Sequence, residues 1–263
     1  MKKLKKSLIF KIFITTLYMI ISCLVTILYL YKTINLTNEE YLKLILNDSY
    51  GNNFLNSLVN IIYDKFNFMD FIEFENKTFN TPNVVNDNPL IFIYNKNQLQ
   101  NYQIDYNIKP NVMVASYLLS NKLNNLDINN IVLDTNLENF SLNNNISIDK
   151  SLEIFINDVK VNYSSIKYFF DIGRSDYSRF KTTISFNNNK YAKINFYVSE
   201  KDFSFVYELN KELNKNINGI SNIYIINEYI NNVIKIEIGG SSNTIKEVSN
   251  TINILSNIIK ENI

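Results

Sequence analysis

The sequence predicts an α/β domain, built on a mixed sheet of about six strands with helices on both faces and preceded by one transmembrane helix. Three observations support this prediction. An uncharged run stands near the N-terminus, as a membrane span requires. From residue 89 onward, short runs rich in β-branched and aromatic residues alternate with longer runs of helical period. This second part has about 175 residues, an ordinary size for one hydrophobic core.

The N-terminal segment is predicted to cross the membrane once. Residues 12–31 carry no charge and are bounded by Lys11 and Lys32, and four of the first six residues are lysine. At a rise of about 1.5 Å per residue, such a run reaches about 30 Å, the thickness of the hydrocarbon core of a bilayer. The positive-inside rule places residues 1–11 in the cytoplasm. We therefore expect a single-pass protein of the cell membrane with an extracytoplasmic C-terminal domain.

Two other interpretations of this segment remain open but are less favoured. A cleaved signal peptide would have a shorter apolar region and a cleavage site flanked by small residues. A lipoprotein signal would end at Cys23, because residues 20–23 loosely fit its motif, but residues 24–28 stay apolar where an exported lipoprotein turns polar.

Residues 32–88 are predicted to form a helical linker and a loop. Thr37 and Glu40 have the spacing of a capping box before a helical pattern, and residues 54–66 form a second amphipathic stretch. An asparagine-rich stretch then runs to Pro89. The predicted divisions of the chain are 1–11 (cytoplasmic), 12–31 (anchor), 32–88 (linker) and 89–263 (globular domain).

The elements of the globular domain follow from hydrophobic periodicity. Asn187–Asn189 separates two alternating runs and predicts a hairpin turn. The predicted strands are Leu90–Tyr94, Ile131–Leu133, Ile166–Ile172, Thr182–Phe186, Tyr191–Val198, Asn222–Ile226 and Val233–Ile238. The predicted helices are Asn111–Leu123, Ile148–Val159, Phe203–Ile217 and Thr244–Ile259.

Composition excludes several functions. The chain has 263 residues, a net charge of +1, one cysteine and no histidine. Without histidine there is no imidazole base and no histidine-containing zinc site, and one cysteine cannot form an intrachain disulfide. The near-zero charge and the lack of a basic stripe argue against nucleic acid as a partner. The 47 asparagines are what AT-biased codons would produce.

Four local strings, taken in order, point to a family. They are Ile93-Tyr94-Asn95-Lys96-Asn97-Gln98-Leu99-Gln100-Asn101-Tyr102, then Phe169 to Ser175, the run Lys181 to Val198, and Ile236 to Glu247. Together they resemble the catalytic domain of the stage II sporulation protein P family. The resemblance implies a membrane-anchored, zinc-dependent N-acetylmuramoyl-L-alanine amidase that acts on cell-wall peptidoglycan during engulfment. It also implies stage II sporulation proteins D and M as partners.

The departures from the family pattern concern the metal site. Asn95 and Asn97 stand at histidine positions of the first motif, Gln100 at its glutamate, and Gly173 at the histidine of the second motif. Only Glu237 matches a catalytic position of the family. Zinc needs imidazole, thiolate or carboxylate donors, and carboxamides are poor replacements. We therefore expect no zinc or other metal cofactor and a chain that is inactive as a hydrolase.

Arg174 and the nearby carboxylates have two interpretations each. Arg174 either grips a carboxylate, of a peptide stem or of Glu237, or forms an ion pair with Asp171, which we favour. Asp171, Asp176, Asp105 and Glu237 with Asn95 would suit Ca²⁺ or Mg²⁺, although structural or solvated roles are favoured. Glu237 itself either points inward or is an exposed residue of an alternating strand.

Three functions follow. The favoured one is a degenerate family member that binds the cell wall or the engulfment partners. The alternatives are an active amidase with an atypical metal site and an unrelated, membrane-tethered interaction module. A sheet on which Asn95, Gly173 and Glu237 do not converge on one cleft would favour the last.

Overall fold

The structure is a computed structural model that describes residues 88–104, 109–226 and 233–263, together with Thr16, Tyr18, Met19 and Ser22. Within these residues no helix combines the length and apolar character needed to cross a membrane. The predicted anchor, apart from those four positions, and the predicted linker helices lie outside the described residues, so both stay predictions.

Strands and helices alternate along the globular domain as the sequence predicts. The strands are β1 (Ile91–Tyr94), β2 (Asn130–Val132), β3 (Tyr168–Ser175), β4 (Thr183–Phe186), β5 (Asn189–Ala192), β6 (Ile194–Val198), β7 (Ser221–Ile225) and β8 (Val233–Gly240). The helices are α1 (Val112–Asn125), α2 (Leu137–Asn144), α3 (Ile148–Asn162), α4 (Arg179–Thr182), α5 (Phe203–Asn216) and α6 (Ile245–Asn262), with a short 3₁₀ turn at Glu200–Asp202.

Six of these strands form one mixed sheet in the order β2-β1-β3-β8-β6-β7. Strands β2, β1, β3 and β8 run parallel to one another, and β6 and β7 are also a parallel pair. The two groups join antiparallel between β6 and β8. Strands β4 and β5 form a separate hairpin. The predicted mixed sheet of six strands is therefore confirmed.

Each face of the sheet has its own apolar core. On one face, strand residues such as Ile93 and Ile236 pack in a large cluster with side chains of α1, α5 and α6. On the other face, Phe92, Phe169 and Val233 form a smaller cluster with side chains of α2 and α3. Alternate residues of a strand point to opposite faces, so β1 and β3 contribute to both cores. This confirms the prediction of helices on both faces.

The structure departs from the predicted elements in three places. The run Tyr191–Val198 is not one strand, because it breaks at Lys193 into β5 of the hairpin and β6 of the main sheet. Helices α2 and α4 were not predicted. The hairpin turn is confirmed, and Asn187 and Asn188 have φ values of 48° and 62°, as a two-residue turn with both central residues left-handed requires.

The last of the four sequence motifs shapes the connection from β8 to α6. Gly239 has a φ of 68°, and a Cβ at this residue would lie 2.9 Å from Oδ1 of Asn243. That oxygen accepts a hydrogen bond from the Gly240 amide. Thr244 and Glu247 then form a capping box at the start of α6. The motif therefore has a structural role that accounts for its glycine, asparagine and glutamate.

Candidate functional site

The predicted site residues come together at one edge of the sheet. The carboxyl ends of parallel strands β1, β3 and β8 lie side by side, and ligands of open α/β sheets bind at such ends. The strand register pairs Tyr94 with Asp171 and Gly173 with Glu237. Asn95, directly after β1, contacts the main chain of Ile172 on β3. Asn95, Gly173 and Glu237 therefore lie near one another, but none of the three lines the cleft at this edge, so the expected convergence on one cleft is not met.

Asn95 is fully buried, and its side-chain amide makes hydrogen bonds that hold neighbouring elements together. Its Nδ2 donates hydrogen bonds to the main-chain oxygens of Ile172 (2.6 Å) and Val112 (3.3 Å). Its Oδ1 accepts a hydrogen bond from the hydroxyl of Ser116 at 2.9 Å. Both polar atoms of the side chain are thus engaged in joining β1 to β3 and α1.

Gln100 forms a clasp on the main chain of Arg174. Its Oε1 accepts from the Arg174 amide (3.1 Å), and its Nε2 donates to the Arg174 carbonyl (3.2 Å). We call this pair of bonds the Gln100 clasp. A Cβ at Gly173 would lie 3.2 Å from Oε1 of Gln100, closer than side-chain atoms ordinarily pack. The clasp therefore occupies the space into which a histidine at position 173 would extend.

Glu237 is buried, so its interpretation as an exposed strand residue is wrong. Its Oε2 accepts a hydrogen bond from the hydroxyl of Tyr197 (3.0 Å), and its Oε1 lies 2.8 Å from Nζ of Lys235. The same lysine nitrogen lies 4.7 Å from the centre of the Tyr197 ring. Burial, and then the Glu237 carboxylate, raise the pKa of Tyr197, which keeps its hydroxyl a donor at neutral pH.

Asp171 is a second buried carboxylic acid, near Glu237 and Lys235. Burial raises its pKa to about 6, although the Lys96 amide donates a hydrogen bond to its Oδ1 at 3.0 Å and the Lys235 ammonium is near. Removal of the carboxylate from water thus outweighs the groups that stabilise its charge.

Arg174 does not pair with Asp171, and the favoured sequence interpretation is wrong on this point. Residues three apart on a strand point to opposite faces, so the two side chains diverge. Nη1 of Arg174 donates instead to Oδ1 of Asp176 (2.7 Å) and to the Ser175 carbonyl (3.0 Å). The alternative partner, Glu237, pairs with Lys235.

A cleft of about 480 Å³ opens beside these residues, within the size range of small-ligand sites. Asn97, Gln100 and Arg174 line it, whereas Asn95, Gly173 and Glu237 do not. Gln98, another lining residue, was not predicted as a site residue. Its side chain bonds the Thr135 carbonyl and the Leu137 amide and so fixes the start of α2. No sequence signal distinguishes it from the other amides of the loop.

The residues at the family's metal positions do not fit zinc. Asn95 and Gln100 use their polar atoms in hydrogen bonds to their own fold, and Gly173 offers no donor. Among residues 88–104, 109–226 and 233–263, no three acidic, cysteine or histidine side chains come close enough to hold a metal ion. Asp105, one carboxylate considered for a harder cation, lies outside the described residues.

The fold and the site together define an α/β domain with a polar cleft at the carboxyl ends of its parallel strands, and amide side chains stand at positions where the family resemblance implies metal ligands. The profile of the family described as stage II sporulation protein P matches residues 56–260, most of the chain. The chain belongs to this family. The match begins inside the segment that we predicted to be a linker.

Among solved structures, the chain is similar to the N-acetylmuramoyl-L-alanine amidase AmiC2 of Nostoc punctiforme. The identity is 11% and the TM-score 0.39, over 66% of this chain and 94% of that chain. No curated protein sequence matches the chain.

Proposed function

We propose that the protein is a catalytically degenerate member of its family. It binds cell-wall peptidoglycan or the engulfment partners, stage II sporulation proteins D and M, without cleaving the wall. The observation that supports this most directly is the use of the amides at positions 95 and 100. Their polar atoms hold the fold together at the place where the family resemblance implies zinc.

The chemistry of hydrolysis supports the loss of activity. A catalytic zinc lowers the pKa of its bound water from about 16 to about 7, which supplies the nucleophile at neutral pH. Glu237 is engaged instead in contacts within the fold, because its two oxygens contact Lys235 and Tyr197. One paired carboxylate does not replace a metal centre.

The location of the protein is part of the same proposal. The uncharged run at residues 12–31, with lysines on its N-terminal side, supports a single membrane anchor with the N-terminus in the cytoplasm. The folded domain would then lie outside the membrane, on the side where peptidoglycan is found. A protein that binds without cutting would hold its partners or the wall close to the membrane.

An assay on isolated sacculi tests the proposal. The full-length chain in detergent is mixed with purified sacculi, and both sedimentation with the wall and release of stem peptides are measured. We expect sedimentation without release, and Glu237→Gln should behave as the parent does in both measurements. Release of stem peptides that Glu237→Gln abolishes would overturn the proposal in favour of an active amidase with an atypical metal site.

A further inference from the structure

Arg174 carries a buried donor without a partner. Its side chain is 15% exposed and lines the cleft. Both bonds that its guanidinium makes to described residues run from Nη1. Nε is shut off from solvent and has no hydrogen-bond partner among the residues that the structure describes. Buried donors in proteins are nearly always satisfied, so an unsatisfied one in a cleft wall needs an explanation.

The main chain of Arg174 is held firmly, whereas the carboxylate partner of its side chain is not. The Gln100 clasp fixes its main chain on both sides, through the amide and the carbonyl. Asp176, in contrast, has a side chain that is 89% exposed. Ion pairs with a solvent-exposed partner contribute little to stability. The main chain of Arg174 is therefore fixed, whereas its present carboxylate partner is easily exchanged.

We propose that the cleft binds the free carboxylate of a peptide through the Nε and Nη2 edge of Arg174. This edge matches the two oxygens of a carboxylate and binds them side by side. The guanidinium turns this edge toward the cleft, and the ligand supplies the acceptor that Nε lacks. Asp176 gives up one hydrogen bond in this exchange.

The rest of the cleft favours a singly charged peptide. Glu138 and Asp176 line it beside Lys96 and Arg174, so these four charges balance and offer a doubly charged anion such as phosphate no excess of positive charge. Its wall also includes the apolar side chains of Met113, Leu137 and Ile148 and the exposed amide of Asn97. Apolar surface with a few polar groups suits a short peptide. This inference rests on the proposed function, because it names the ligand chemistry of the same site.

A matched pair of ligands tests the charge requirement. The full-length chain in detergent is titrated with N-acetyl-alanyl-alanine and with its C-terminal amide, and the two dissociation constants are compared. We expect the acid to bind at least tenfold more tightly than the amide. Equal affinities, or no binding of the acid, would overturn the inference.

Variants then test whether Arg174 is the residue that binds the carboxylate. Arg174→Gln should weaken binding of the acid at least tenfold. Arg174→Lys should weaken it less, because lysine keeps the positive charge but lacks the paired N–H donors of a guanidinium. Asp176→Asn should strengthen binding by removing the competing carboxylate. Lys211→Gln, an equal change of charge on α5 outside the cleft, is the control and should bind as the parent does. Parental affinity in Arg174→Gln would overturn the inference.

The scarcity of arginine allows a direct spectroscopic test. The chain has only Arg174 and Arg179, so labelling with ¹⁵N-arginine gives two Nε–H signals. Addition of the acid should shift the Arg174 signal and leave that of Arg179 unmoved. Arg179 contacts Glu247 of α6, so its signal also reports whether Arg174→Gln is folded. An unmoved Arg174 signal at saturating ligand would contradict the inference.

The two proposals fail in different ways. If acid and amide bind alike while the chain still sediments with sacculi, the Arg174 site is wrong and the proposed function stands. If the acid binds selectively but the chain releases stem peptides through Glu237, the Arg174 site stands and the loss of catalysis is wrong.

Discussion

At the residue scale, Asn95 and Gln100 have structural roles at positions where the family resemblance implies metal ligands. A carboxamide donates and accepts at once, which suits it to pair with a peptide group. Gln100 does this with Arg174, and Asn95 does it with main-chain oxygens on one side and Ser116 on the other. Histidine or glutamate at these positions would break the bonds without regaining a metal. Simple reversal of the substitutions is therefore expected to destabilise the fold.

The buried carboxyl of Asp171 makes stability depend on pH. Its pKa is raised to about 6 by burial, whereas an unfolded aspartate titrates near 3.9. Between these two values the folded chain binds more protons than the unfolded one, so this residue's contribution to the free energy of unfolding falls as pH rises from about 4 to about 6. Asp171→Asn stays neutral and still accepts a hydrogen bond from the Lys96 amide.

We expect Asp171→Asn to gain stability relative to the parent as pH rises from 4 to 7. The pKa difference corresponds to a gain of up to about 3 kcal/mol. Urea unfolding at several pH values measures it, with Glu153→Gln on the surface of α3 as a control. A difference between Asp171→Asn and the parent that stays constant over this pH range would show that the carboxyl titrates normally.

At the scale of secondary-structure elements, one side chain joins two strands and a helix. Asn95 follows β1 and bonds to β3 and to two residues of α1. Asn95→Ala should lower the free energy of unfolding by about 2–4 kcal/mol, because buried groups lose their partners. Asn97→Ala, two residues away and exposed, is the matched control and should stay within about 0.5 kcal/mol of the parent. Equal losses in the two variants would refute the role given to Asn95.

Elements with strong hydrophobic periodicity were predictable from the sequence. Elements that depend on contacts with distant parts of the chain were not. The strands of the central sheet and the helices α1, α3, α5 and α6 follow apolar patterns that the sequence displays. Helix α2 buries only Leu137 and is rich in asparagine, so its pattern is weak. The break at Lys193 depends on which sheet each half joins, and no local pattern records that choice.

At the site, too, some features could be predicted from the sequence and others depend on distant contacts. The parallel register brings Asn95, Gly173 and Glu237 near one another at one edge of the sheet, but the cleft that the motifs led us to expect around them is lined by other residues. The sequence did not reveal that Gln100 bonds the main chain of Arg174, since that contact joins residues 74 positions apart through a loop. Nor did it reveal that Arg174 pairs with Asp176, which depends on the direction of each side chain.

At the scale of the whole molecule, the structure combines a mixed sheet with a cleft at the carboxyl ends of its parallel strands. Among the described residues, no three acidic, cysteine or histidine side chains come close enough to hold a metal ion. Both cores of the sheet are complete among the described residues, and neither contains a metal-binding group. The fold is therefore expected to be stable without a metal, because a ligand stabilises a protein only if it binds the folded state. The cleft remains available for binding, which is the activity that we propose.

Metal analysis of the full-length chain tests the central claim most directly. The protein is purified in detergent without chelators, dialysed against zinc and then against metal-free buffer, and its zinc content is measured by mass spectrometry. Thermal unfolding is recorded with and without a chelator. We predict far less than one zinc per chain and the same unfolding temperature in both conditions. One zinc per chain, with a lower unfolding temperature after chelation, would contradict the account.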